Sequence, residues 1–215
     1  MTRRSLLAVG APSIAALLLA SCAGGPLPPA WQTGAHASLE AFTAAYLNGK
    51  RRVADAEFSR ARAELARTGR FDLVARAELV RCAVRVASVE FDGCPGYAAL
   101  AQDAGPAEDA YAAFLANRPT DPALLPPQYR SLRGGDALST IEEPLPRLIA
   151  AGVRLERGQL NAADIQTAVD TASAQGWRRP LLAWLGVQEK RAASASQDEL
   201  AASLRRRIEL VGGER

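Results

Sequence analysis

Apolar residues return every three or four positions through most of the chain beyond residue 30, the spacing that lays one apolar stripe along a helix. Leu39, Phe42 and Tyr46 make the first stripe, and Asn48-Gly49 supplies its C-terminal stop. Ala54, Phe58, Ala61 and Leu65 make a second, with charged residues on the other faces and Gly69 closing it. The third segment is apolar over a wider arc. Leu73, Ala77, Val80, Val84 and Ala87 form one face, and Leu79, Cys82 and Val86 lie beside it. A helix apolar over so wide an arc belongs at the centre of its bundle. Its remaining strip, Glu78-Arg81-Arg85, is left for solvent or a partner.

Phe91 to Gly96 is a turn by its chemistry. Short helices are predicted over residues 97–102 and 107–117, the second turning Tyr111, Phe114 and Leu115 inward. Pro119, Pro122, Pro126, Pro127 and Gly134-Gly135 then make 118–135 the one long irregular passage, which splits the domain into two halves. After a short turn over 136–141 a helix begins at Pro144, because Pro144 and Pro146 fit only a first helical turn, and it runs to Arg157. Glu142-Glu143 just before it read as acids that satisfy the helix dipole and its free amides. Asn161 caps a helix carrying Ile165, Ala168, Val169 and Ala172, which Gly176 closes. Pro180 stands in the first turn of the next, ahead of Leu181, Trp184, Leu185 and Gln188. Ser196-Gln197-Asp198-Glu199 has the form of a capping box for the last helix. There Leu200, Leu204, Ile208 and Val211 line the core face, and Gly212-Gly213 is the stop. Abundant alanine and scarce Val/Ile/Thr runs favour helix over strand throughout.

The predicted fold is therefore all-α, with antiparallel helical hairpins forming a bundle or a short solenoid. Helix, Gly69, helix in the first half resembles helix, Gly176, helix in the second, a pattern similar to tetratricopeptide-type hairpins. That family's Trp-Leu-Gly-Tyr signature is missing, and the two glycines are not separated by a multiple of its period of about 34 residues.

The first 22 residues follow a different rule. Arg3 and Arg4 lead into an apolar run from Leu6 to Ala20, interrupted by Gly10 and Pro12. A basic head and a short apolar stretch make a secretory signal, whereas a spanning helix needs about 20 apolar residues. Leu19-Ala20-Ser21-Cys22 resembles the lipobox of bacterial lipoproteins. The resemblance implies cleavage after residue 21, lipidation of Cys22, and a lipid-anchored protein. Ala23 in place of aspartate then implies the outer membrane, with the domain on its periplasmic face. Thr2-Arg3-Arg4-Ser5-Leu6-Leu7 also resembles a twin-arginine export signal. Residues 22–30 read as the lipidated cysteine and a Gly/Pro-rich tether, and 31–213 as a single helical domain.

Loss of residues 1–21 shortens the chain from 215 to 194 residues and lowers its formal charge from +3 to +1, so the basic pI does not point to nucleic acid. Cys82 and Cys94 would then face an oxidising periplasm. Twelve positions is a workable span for a disulfide through the turn at 89–93; two buried free thiols are the other reading. His36 is the only histidine, near a terminus, and no GxSxG, HExxH, P-loop or GxGxxG is present. No catalytic residue, metal ligand or cofactor is assigned. Trp31, Trp177 and Trp184 read as core or hairpin-packing residues, with Trp31 also placed to touch a membrane interface. Glu78, Arg81 and Arg85, with Arg205, Arg206 and Arg207 near the chain's end, are the candidate partner surface. Arg178-Arg179 and the Arg205 run raise an anionic partner; a solvated face is the plainer explanation. The resulting expectation is an adaptor or assembly factor that offers a helical groove to another envelope protein. A cell-envelope enzyme or accessory factor acting on peptidoglycan or lipid is the alternative.

Overall fold

The computed structural model describes residues 27–130, 132 and 136–213, and among them it is all-α, with no strand. The predicted signal segment, Cys22 and the first tether residues lie outside that range, as do residues 131 and 133–135 of the Pro-rich passage. Helices α1 (Ala30–Leu47) and α2 (Arg51–Ala66) form a tight antiparallel hairpin, followed by α3 (Phe71–Ala87). α4 (Pro95–Ala98) and α5 (Pro106–Leu115) lead into the Pro-rich passage, which carries 3₁₀ turns at residues 122–124 and 127–129. α6 (Pro144–Glu156), α7 (Ala162–Ala174), α8 (Arg178–Ser194) and α9 (Asp198–Gly212) complete the described chain, each packed against the next in sequence from α6 onward.

α3 is central, as its wide apolar arc requires. One side packs on the α1–α2 hairpin, where Phe42 and Phe58 meet with ring centroids 5.1 Å apart above Val74 and Val84. The other side packs into a larger core built from Leu79, Val86, Phe114, Leu148, Val169 and Leu185. Trp184 of α8 is wholly buried there, and its Nε1–H donates to the Ala87 carbonyl at 3.0 Å. That bond satisfies one of the carbonyls left open at the end of α3. Trp177 bridges the two cores, and Trp31 is partly buried on the hairpin side.

The Pro-rich passage does not split the domain. Phe114 and Leu115 before it, Leu125 and Tyr129 within it, and Leu148 and Val153 after it all enter one core. The reason is the passage's two 3₁₀ turns, which aim Leu125 and Tyr129 inward and leave Pro122 and Pro127 exposed.

Several helix ends differ from the expectation for local reasons. Cys94 adopts left-handed backbone (φ 57°), so the predicted 97–102 helix is instead a single turn starting at Pro95 and a separate 3₁₀ turn at residues 101–103. Asn117 is also left-handed and ends α5 early, with the Arg118 N–H bonded back to Ala113 O. Ser196 is spent closing α8 in the same way, with the Gln197 N–H donating to Ala192 O, and it makes no capping box. On α9, Ala201 and Leu204 are buried while Leu200 is exposed, because the helix approaches its neighbour through the small alanine. Glu143 stands at the N-cap of α6 but its side chain bonds no amide. Arg147 organises that start instead, donating to the carbonyls of Ile141 and Glu142 at 2.9 and 3.2 Å. The capping box of α7 is formed, between Asn161 and Asp164. Gly69 and Gly176 both take left-handed backbone and close their hairpins.

Candidate functional site: an apolar cleft beside the central helix

α3 carries more apolar surface than its two cores consume. Leu79 and Val80 face a cleft of about 380 Å³ between α3, α5 and the start of the Pro-rich passage. Ala107 and Tyr111 of α5 form one wall, and Leu124, Leu125 and Pro126 the other. Leu124 is large, apolar and 42% exposed at the lip. The rim is charged. Arg76 Nε donates to Glu108 at 2.6 Å, so this pair is internally neutral. Arg130 Nε donates to the Leu125 carbonyl at 2.8 Å, which fixes the loop and leaves a guanidinium at the edge of the cleft with no acid paired to it among the described residues.

The Tyr111 wall is backed by aromatic stacking. Tyr111 lies on Tyr129 with centroids 5.9 Å apart and planes 21° apart, and Phe114 packs on Tyr129 at 4.8 Å. Burial pushes the Tyr111 hydroxyl up to about 12 and that of Tyr129 well above the ordinary tyrosine value. Both stay neutral at physiological pH. The cleft can therefore bind apolar groups and one anion at its rim, where its one carboxylate among the lining residues, Glu108, is engaged by Arg76. The sequence signal that could have located it is the cluster of prolines at 122, 126 and 127, which holds Leu124 and Leu125 in place.

The predicted partner strip on α3 is used inside the molecule. Glu78 is 5% exposed, within 3.1 Å of Arg62 and 2.8 Å of Arg81, and this corrects its assignment to a partner surface. α4 lies across it, and that short turn has no periodic signature in the sequence. Arg81 stacks on the Phe58 ring at 4.6 Å, and Arg85 pairs with Asp92 at 3.2 Å. Arg205 pairs with Glu189 at 2.8 Å, while Arg206 and Arg207 are exposed with no ion pair among the described residues. Among the described residues no hydrogen bond or ion pair links the α3 strip to these α9 arginines. His36 is exposed beside Glu40, 3.3 Å away.

A second, polar cleft of about 640 Å³ lies at the α6–α7 turn, lined by Asp136, Ser139, Arg154, Asn161, Asp164 and Thr167. Asp164 is held by the α7 capping box and lies 3.9 Å from Arg154. Cys82 and Cys94 are joined as a disulfide, with Cα atoms 5.3 Å apart, next to the α3–α4 junction. No helix among the described residues is long and apolar enough to cross a membrane. The chain matches no protein-family model, no curated protein and no solved structure.

Proposed function

We propose that this chain is a lipid-anchored protein of the outer membrane whose helical domain is a non-enzymatic adaptor or assembly factor on the periplasmic side. The observation that carries the adaptor reading is the apolar cleft between α3 and α5, edged by Arg130. An occupant that suits it is a short helical or extended segment of another envelope protein, with apolar anchors and an acid placed to meet Arg130. The lipobox at Leu19-Ala20-Ser21-Cys22 supports the address. So does the Cys82–Cys94 bridge, since disulfides persist in oxidising compartments.

Photo-crosslinking from position 124 in intact cells tests the adaptor reading. One discrete envelope protein should be captured, and Val80→Arg, which fills the cleft with charge, should abolish the product while leaving the circular dichroism spectrum unchanged. A crosslink that survives Val80→Arg, or none at all, counts against the cleft. Metabolic labelling with a palmitate analogue tests the anchor, and Cys22→Ser should eliminate the label.

The polar cleft around Arg154 favours a second reading, an accessory factor that holds a polar cell-wall or lipid fragment. A soluble peptidoglycan fragment that shifts amide signals of residues 154–167 would support it.

A further inference from the structure

We infer that the end of the domain formed by the start of α1 and the α2–α3 turn rests on the lipid surface that holds the anchor, with Phe71 entering the headgroup layer. This rests on the reading of Cys22 as the lipidated residue. α1 and α2 run antiparallel, and a methyl group at Gly34 would meet the Glu64 side chain at 3.7 Å. The first turn of α1 therefore stands beside the last turn of α2, and α3 begins after a turn of four residues, 67–70. The tether enters, and Phe71 begins its helix, at the same end of the molecule.

Single exposed apolar residues are ordinary on a protein surface and carry nothing by themselves. Phe71 differs in position and surroundings. It is the most exposed aromatic side chain among the described residues, at 56%, and Leu27, just ahead of α1, is 92% exposed. Beside Phe71 opens a recess of about 180 Å³ lined by Ala66, Val74 and Leu100 together with Arg62 and Arg70. The chain from Cys22 to Ala30 spans at most roughly 26–29 Å when fully extended. Of the other exposed large apolar residues, Leu124 lies on the Pro-rich passage and Leu200 and Leu210 on α9, while Val53 and Phe91 lie at the opposite end of the hairpin, a helix length of about 27 Å away. Any slack in the tether brings the Phe71 end to the surface first.

The chemistry of this end specifies the kind of contact. Arg67 is paired with Glu64 at 3.1 Å, Arg70 with Asp72 at 2.7 Å, and Arg62 with Glu78. Glu78 is shared between Arg62 and Arg81, so about one positive charge is left over at this end. Attraction to anionic headgroups is correspondingly small, and the contact is made by an aromatic ring at the water–lipid boundary. One ring is too weak to hold a free protein, but the tether raises its effective concentration to the millimolar range or above. The contact is consequently insensitive to salt. It also sets the α3–α5 cleft, which starts at Arg76 about 7.5 Å further along α3, just above the lipid.

The mature chain, residues 22–215, tests this when coupled through the Cys22 thiol to a maleimide-bearing lipid in phosphatidylethanolamine–phosphatidylcholine vesicles. Pairing of Cys82 with Cys94 leaves Cys22 as the reactive thiol. Within residues 69–74 the amides of Phe71, Asp72 and Leu73 stand in the first helical turn with no partner in the helix, unlike those of Gly69, Arg70 and Val74, so in the untethered chain these first-turn amides exchange quickly. Tethering should slow hydrogen exchange over residues 69–74 by roughly tenfold or more, with no change over 49–53 and 178–183. The protection should persist in about 1 M salt, where charges are screened within about 3 Å, and it should vanish in Phe71→Ser. Protection confined to the opposite end, its absence over 69–74, or its loss in salt would overturn the inference. Because the link is made chemically, none of these outcomes depends on acylation in the cell, which the palmitate label reports separately.

Discussion

Glu78 is 5% exposed between Arg62 and Arg81, and the backbone of α4 closes over it at Gly96. A methyl group at Gly96 would lie 2.1 Å from Glu78 Oε2 and 2.7 Å from an Arg81 nitrogen. Gly96→Ala must therefore displace a buried ion pair, and it should cost about 1–3 kcal/mol in urea unfolding. Glu78→Ala destabilises as well, but Arg62 and Arg81 are half and one-third exposed and can return to water, which keeps that loss at the low end for a broken pair. In the double variant the clash has no partner, so the two losses should sum to more than is measured, with a coupling of about 1 kcal/mol or more. Strict additivity would show that Gly96 and Glu78 do not press on one another. The buried tyrosines give a second residue-scale prediction. Tyr111 and Tyr129 ionise higher in the folded chain than the ordinary value of 10.0, so the unfolded chain loses their protons first as pH rises. Their contribution is fully present below pH 10.0 and is lost on the way up through the folded value, about 12 for Tyr111. Melting temperature should fall across that window, and Tyr129→Phe should flatten the fall.

At the scale of elements, the closest approach of a glycine to a neighbouring backbone among the described residues is where α6 crosses α3. A methyl group at Gly152 would lie 2.3 Å from the Val86 carbonyl oxygen, a backbone atom that cannot swing aside. Gly152→Ala should cost more than Gly96→Ala, about 3 kcal/mol or above, because the two helices must separate and open voids around Leu148 and Val153. A stabilising or neutral Gly152→Ala, which helix propensity alone would favour by about 1 kcal/mol, would mean that the crossing is looser than described. This position also shows what the sequence could and could not convey. The stripes of α2 and α7 are written in period 3.6 and every residue of them is buried, whereas Leu39 on α1 and Leu73 and Val80 on α3 are only partly buried. Gly152 sits inside an equally regular stripe, and nothing in the pattern separates a glycine that admits a neighbouring backbone from one that merely weakens a helix. Glu78 fails for a related reason: periodicity placed it on the strip left over, but the cover comes from α4, four residues long and without a period. The cleft was half legible. Its prolines marked the passage as special, whereas its α3 wall was indistinguishable from core.

Across the whole molecule, the bridge between Cys82 and Cys94 is what ties α4 to α3, so it sets the cover over Glu78 as well as a loop length. Its twelve-residue separation is worth about 3 kcal/mol on the chain-entropy model, a large share of the roughly 5–15 kcal/mol that holds a typical domain folded. Both sulfurs are buried in the larger core, so reduction leaves two thiols in an apolar site rather than in water. Reductant should accordingly shift the urea midpoint down by the equivalent of about 3 kcal/mol. The first region to gain hydrogen exchange should be residues 94–104, ahead of the α1–α2 hairpin, whose contacts with α3 lie on the other side. The Gly96→Ala penalty should shrink in the reduced protein, because an untethered α4 can lift off the carboxylate. If reduction instead lowers stability uniformly, with exchange rising together in the hairpin and in α4, the bridge acts only on the unfolded chain and α4 is held in place by its own packing.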